Sequence, residues 1–237
     1  MGRIGGKGGI GGSRLLALLH LCDSLFPIGG FGYSDGLEAA TASGVIADAG
    51  GLREWMDVCL EESIGRLDGP TVVLAWSAFE DKDWRAIERL DQEAIALRPS
   101  SAARHATRAM GSRLATMWQA LYPDDSLAEL MALAREGAVG PALPVAFASA
   151  CAASGVDRRS AAEAFAYNRL AATISSAMRL MPIGQTDAHA LLAGAVARVP
   201  AVVDAMMARE ASAESFSPAM DVATMTQQYL YSRLFRS

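Results

Sequence analysis

Three short stretches of the chain contain residue types that commonly form a binding site. The loop LFPIGGFGYSDGLE (residues 25–38) combines Phe31 and Tyr33 with several glycines. The segment RLMPIGQ (residues 179–185) has an arginine and a glutamine on either side of a proline–glycine turn. The chain closes on YSRLFRS, in which cationic and large apolar side chains alternate. Each stretch taken alone fits a structural role or a contact with a partner, since aromatic and arginine side chains serve both.

Motifs for catalysis or for cofactor binding are missing from the sequence. The histidines His20, His105 and His189 are isolated, and no CxxC, HxxH or HExxH spacing occurs, so we predict no metal site. The glycine-rich GGKGG lacks the spacing of a phosphate-binding loop, and GGFGYSDG follows a helical pattern rather than a strand. No GxSxG nucleophile motif is present. These observations favour a binding protein without a cofactor over an enzyme.

Two other hypotheses remain open on the residues alone. In the first, neutral helices around Ala148 and Ala171 frame a pocket for a small ligand or a substrate, and Arg179 binds its anionic group. In the second, the protein is associated with a membrane, because residues 137–156 carry no charge. That segment contains two prolines and is mostly alanine, glycine and serine, which favours a buried helix over a membrane span.

Composition indicates one globular domain without a nucleic-acid partner. The 237 residues are 51% hydrophobic and 20% charged, and the formal net charge is −5. An acidic chain lacks the basic surface that nucleic-acid binding needs. The three cysteines lie far apart in the sequence, which is typical of reduced thiols in a cytoplasmic protein. No signal peptide is recognisable at the start of the chain.

Apolar residues recur at helical spacing and no alternating strand pattern is evident, so we predict an all-α, single-domain bundle of roughly ten helices. A flexible glycine-rich tail is expected over residues 1–13 and the helical domain over 14–237. At the centre we expect two helices joined by the turn at residues 182–185. Another turn is predicted at residues 68–70. Predicted helix caps are Ser13, Asp83, one of Asp124, Asp125 and Ser126, and Asp157, with Asp35 and Glu38 forming a capping box.

The three stretches, in this order, resemble the urease accessory protein UreF family. The resemblance runs from about Leu15 to the end of the chain. It implies an all-helical, non-enzymatic chaperone of the cytoplasm that forms a homodimer. The implied partners are a UreD/UreH-like accessory protein, a UreG-like GTPase and apo-urease, into which nickel is inserted in a GTP-dependent step. The positions expected to contact partners are Phe31, Tyr33, Glu38, Arg179, Gln185, Tyr231, Arg233, Leu234, Phe235 and Arg236.

The chain departs from the family pattern at Gln227-Gln228, where His-Glu is common. Glutamine does not titrate, so a metal role at this position is in doubt while a hydrogen-bonding role stays open. Two structural expectations follow for the site. Arg179 should be held by carbonyls or a carboxylate near the 182–185 turn. Residues 230–237 should be disordered or loosely docked, because burying Leu234 and Phe235 does not offset the backbone entropy of the segment.

Overall fold

The computed structural model describes residues 11–209 and 213–236 and is all-α over these residues. The α-helices are α1 (Gly11–Leu21), α2 (Leu37–Ala42), α3 (Ala49–Val58), α4 (Gly69–Glu80), α5 (Trp84–Ala96), α6 (Ser101–Leu121), α7 (Asp125–Glu136), α8 (Leu143–Ala153), α9 (Arg158–Leu180), α10 (Gln185–Val196), α11 (Val199–Arg209) and α12 (Pro218–Thr226). Short 3-10 helices span Gly30–Gly32 and Gln227–Tyr229. The predicted fold class is confirmed.

Several helix starts are set by local chemistry, as the sequence predicted. The carboxylates of Asp83, Asp124 and Asp157 each accept a hydrogen bond from a backbone N–H in the first turn of the helix that follows. Such caps satisfy donors that have no partner inside the helix. The predicted cap at Ser13 is wrong, because α1 already begins at Gly11. Residues 1–10 of the predicted tail lie outside the described residues.

The turn predicted at residues 68–70 is also wrong. A π-helical segment, Cys59–Asp68, joins α3 to α4 without a break, and Asp68 has ordinary helical dihedral angles. Pro70 is the second residue of α4, at the junction with the π-helical segment, and it lacks the backbone N–H that would bond to the preceding turn. The carboxylate of Asp68 is thereby brought into the interior, where it is 4% exposed.

The interior consists of two large apolar clusters that share α4 and α9. Helix α8 is buried along its whole length, which supports a core helix in place of the membrane span considered for residues 137–156. The helices approach each other closely at Gly111 and Gly69. A Cβ at Gly111 would overlap the backbone at Pro141, and one at Gly69 would overlap the thioether of Met206.

Two observations bear on compartment and membrane. Cys22, Cys59 and Cys151 are free thiols, and burial raises the pKa of Cys22 to about 11 and that of Cys59 to about 12. Neither of these two is therefore in its reactive thiolate form near neutral pH. Among the described residues, one helical stretch, residues 185–209, is long and apolar enough to cross a membrane by length and composition. A core helix of a soluble protein passes the same test.

Candidate partner-binding surface

Six of the ten predicted site residues come together where the C-terminal end of α9 meets the loop before α2. Arg179, in the last turn of α9, donates a hydrogen bond from Nη1 to the carbonyl oxygen of Phe31 at 3.1 Å. The Arg179 guanidinium carbon also lies 4.4 Å from the ring centre of Phe235, in the chain's last segment. One arginine therefore joins all three stretches that the sequence singled out. We call this cluster, formed by Phe31, Glu38, Arg179 and residues 230–236, the tail site.

The position of Arg179 corrects the prediction that the turn at residues 182–185 holds it. Its carbonyl partner belongs to a loop 148 positions earlier in the chain. Its second partner is an aromatic face, which attracts a cation through the ring quadrupole. The turn itself formed as predicted, because α9 ends at Leu180 and α10 begins at Gln185.

Glu38 has a role that the sequence did not predict. Instead of completing a capping box, its side chain is buried and accepts hydrogen bonds from the backbone N–H groups of Leu234 and Phe235. The side-chain amide of Gln227 donates a third hydrogen bond to the Glu38 carboxylate, at 3.2 Å. Helix α2 has Gly36 at its N-cap with no side-chain cap. A buried carboxylate needs donors, and here the end of the chain supplies them.

The end of the chain is consequently docked, contrary to the expectation of a disordered or loosely attached segment. The ring of Phe235 is 3% exposed, and the backbone N–H of Arg236 donates to the carbonyl of Gly32 at 2.7 Å. That expectation weighed the burial of two apolar side chains against the backbone entropy of the segment. It omitted the bonds to Glu38 and Gly32 and the contact with Arg179, which add to the favourable side. Ser237 lies outside the described residues.

Gln227 is fully buried, and its neutrality suits its surroundings. Its Oε1 accepts from the hydroxyl of Ser34 at 3.0 Å while its Nε2 donates to Glu38. Both functions of the amide are thus used inside the site. Gln228 is exposed and donates only to the carbonyl of Met225. At the position where the family pattern has His-Glu, Gln227 therefore links the docked segment to Ser34 and Glu38 by hydrogen bonds.

A cluster of charges around the buried carboxylate of Asp68, in which Asp35, Arg98 and Arg169 are partly buried, fixes the loop that carries these residues. Arg169 of α9 donates to Asp35 at 2.6 Å, and its Nε lies 3.9 Å from the carboxylate of Asp68. Arg98 also pairs with Asp68. Burial lowers the pKa of Arg169, but Asp35 and Asp68 raise it by more, so it stays charged. We call Asp35, Asp68, Arg98 and Arg169 the internal charge cluster. It secures Asp35 at a φ of 51°, which is rare for a residue other than glycine.

A cavity of about 290 Å³ lies between the loop at residues 21–35 and α9, and both Arg169 and Arg179 line it. A small ligand, if the protein binds one, would occupy this cavity. The guanidinium of Arg169 already binds the carboxylate of Asp35, however, and that of Arg179 binds the carbonyl oxygen of Phe31. Among the described residues, no group of three or more His, Cys, Asp or Glu side chains has metal-binding geometry.

The predicted residues divide into two sets. Those that the structure joins by direct contacts are Phe31, Glu38, Arg179, Leu234, Phe235 and Arg236. Tyr33 lies beside them, half-buried, on the wall of the cavity. Gln185, Tyr231 and Arg233 are exposed, and within the described part of the chain their side chains form no hydrogen bond or salt bridge with this set. The sequence did not predict the ion pairs of Asp35, Asp68 and Arg169 or the buried role of Gln227, because the partners of these residues are distant in the chain.

The fold and this site define an all-helical protein whose candidate site is a docked chain end flanked by exposed aromatic and arginine side chains. A family model described as UreF matches residues 46–196. Urease accessory protein UreF of Methylibium petroleiphilum is 33% identical over 96% of this chain and 95% of its own length. The UreF proteins of Delftia acidovorans and of Rhodopseudomonas palustris strain BisB5 are each 35% identical, over 94% and 95% of this chain and 97% and 92% of their own lengths. The chain belongs to the UreF family of urease accessory proteins.

Proposed function

We propose that this protein is a non-enzymatic scaffold of urease maturation in the cytoplasm. In this proposal it acts as a homodimer with a UreD/UreH-like protein and a UreG-like GTPase, and the assembly delivers nickel to apo-urease in a GTP-dependent step. The family supports a role as a urease accessory protein. The identity of the partners and the nickel step are carried over from the resemblance of the three sequence stretches.

One observation carries the proposal of a contact surface. Three segments far apart in the chain converge on the tail site, yet several of their large apolar side chains stay exposed to solvent. Phe31 is 55% exposed and Leu234 is 54% exposed, while Tyr231 is fully exposed. Large apolar groups surrounded by arginines are typical of interface anchors. A structural role alone would bury them.

The proposal is tested by pull-down of the purified full chain against a UreD-like and a UreG-like protein, together with urease activation in cells that lack the chain. We expect Tyr231→Ala and Leu234→Ala to weaken pull-down and activation at unchanged helicity. Val45→Ala provides a matched control, because Val45 is also exposed and belongs to none of the three stretches. Binding that persists unchanged in both tail-site variants would refute the assignment of the surface.

The small-ligand alternative makes a different prediction. A ligand in the 290 Å³ cavity would raise the melting temperature of the isolated chain, in the absence of any protein partner. The scaffold proposal predicts no such shift in a screen of small anions, and a rise in melting temperature only when partner proteins are added. Sedimentation equilibrium at micromolar concentration tests the homodimer separately, and a monomer with and without partners would exclude it.

A further inference from the structure

Helix α6 carries an exposed surface whose charge differs from that of the chain as a whole. Between Glu93 and Asp124 the sequence contains no acidic residue, although the net charge of the protein is −5. The same stretch contains four arginines and one histidine: Arg98, Arg104, His105, Arg108 and Arg113. Arg98 is used in the internal charge cluster, and Arg104 donates to the carbonyls of residues 98 and 99. Arg108 and Arg113 remain at the surface.

The geometry of the helix places these two arginines on the flanks of one face. At 100° per residue, Arg108 and Arg113 are about 140° apart around the axis and about 7.5 Å apart along it. Exposed residues between them are small and polar, namely Ser112 and Thr116, with His105 one turn before. The Arg108 side chain lies against Gly140, and Arg113 donates to the carbonyl of Ile28 at 3.4 Å. We call the surface formed by residues 105, 108, 112, 113 and 116 the α6 basic face.

The carboxylates of neighbouring elements do not neutralise this face. Asp91 lies next to Gly140, but it is buried and accepts hydrogen bonds from the backbone N–H groups of Gly140 and Ala142 at 2.8 and 2.6 Å. Helix α7 carries Asp125, Glu129 and Glu136, and α12 carries Asp221. Among the described residues, no carboxylate lies within 4.0 Å of Arg108 or Arg113.

We infer that the α6 basic face is a docking surface for an acidic segment of a protein partner. A guanidinium group binds a carboxylate with two parallel hydrogen bonds, and the small side chains between the flanks let a peptide backbone approach closely. Phe31, in the loop that Arg113 contacts, offers an apolar anchor beside the two charges. A nucleic acid fits less well, because the excess of negative charge on the rest of the chain repels a long polyanion. The inference adds a second contact surface to the proposed scaffold.

The test uses the full chain and a labelled twelve-residue peptide rich in glutamate, with one phenylalanine and one leucine. Fluorescence anisotropy at low salt compares the wild type with the double variant R108E/R113E. The control R85E/R89E makes the same change of charge on two exposed arginines of α5. We expect the first variant to bind at least tenfold more weakly and the control to stay within twofold. A counterpart peptide with glutamine in place of glutamate should not bind.

Several outcomes would overturn the inference. Equal weakening in both double variants would mean that only net charge matters. Tighter binding of a single-stranded oligonucleotide, or of phosphatidylserine vesicles, at equal probe charge would assign the face to a nucleic acid or to a membrane. If R108E/R113E loses helicity, R108Q/R113Q replaces it, and unchanged peptide binding by that variant contradicts the inference. Failure of the proposed function would appear separately, as wild-type protein that binds the peptide but no urease accessory protein.

Discussion

Arg169 and Arg179 lie on the same helix, yet the internal charge cluster and the tail site use them in different ways. Arg169 is paired with the carboxylates of Asp35 and Asp68 inside the protein. Arg179 is exposed and has a carbonyl and an aromatic ring as partners. Breaking an ion pair in the interior leaves an uncompensated charge, whereas a carbonyl and a ring lose little when an arginine leaves them. The ion pairs of Arg169 therefore fix the position of the loop that carries Asp35. The contacts of Arg179 can be replaced by contacts with a partner protein.

The largest effect is expected from breaking the internal charge cluster. Asp68→Ala removes the carboxylate that faces both Arg98 and Arg169, so two guanidinium groups lose a partner in the interior. We expect the free energy of unfolding to fall by about 3–5 kcal/mol, measured by urea denaturation. Arg198→Ala is the control, because Arg198 pairs with Asp57 and Glu61 at the surface and should cost at most about 1 kcal/mol. If both variants lost the same unfolding free energy, the ion pairs of Asp68 would stabilise the protein no more than the surface pairs of Arg198.

A smaller and local effect is expected from Glu38→Ala. The change removes the acceptor for the backbone N–H groups of Leu234 and Phe235 and for the side chain of Gln227. Each buried donor without an acceptor lowers the free energy of unfolding by about 1–3 kcal/mol. The docked segment can avoid this cost by detaching, because its N–H groups then bond to water. Amide hydrogen exchange should therefore accelerate at residues 234–236 while the core helices keep their protection. Uniform loss of protection across the protein would mean that Glu38 belongs to the core.

The contrast between Asp157 and Glu38 shows what the sequence could predict. Asp157 was correctly predicted as a cap because its acceptor role is fulfilled three residues away, at Ser160. Asp35 and Glu38 are also three positions apart. The donors to the Glu38 carboxylate, however, lie 189 to 197 positions further along the chain. The fold class and most helices follow from local periodicity. Partners such as Arg169 with Asp35 depend on how helices pack, and no local pattern encodes them.

Arg179→Ala is expected to change stability by only about 0.5–1 kcal/mol, because the interaction of an exposed cation with a ring has that size. Pull-down of the proposed UreD-like partner should nevertheless weaken, since the side chain holds the loop of Phe31 against Phe235. Arg179→Lys keeps the charge without the planar group and should recover part of the binding. A sharp drop in melting temperature with normal binding of the folded protein would assign Arg179 a purely structural role.

The smallest effect on stability is expected at Asp221, a carboxylate that is not paired with a cationic side chain in the part of the chain that the structure describes. Asp221, in the first turn of α12, has no basic side chain within 4.0 Å among the described residues, and burial raises its pKa. An acid whose pKa is higher in the folded state ionises at a cost to folding, so its charge destabilises the protein above that pKa. Below the unfolded pKa of roughly 3.9, both states are protonated and the effect vanishes.

Asp221→Asn should therefore raise the melting temperature slightly at pH 7 and leave it unchanged near pH 3.5. The helix dipole acts in the opposite direction, because it stabilises a negative charge in a first turn. The sign of the measured shift decides which of the two effects is larger. Asp157→Asn is the comparison, since a hydrogen bond from the backbone N–H of Ser160 lowers the pKa of Asp157. That change should destabilise the protein at pH 7, with the difference disappearing as the pH falls through the lowered pKa of the aspartate. Destabilisation by both substitutions at pH 7 would show that the dipole outweighs burial at α12.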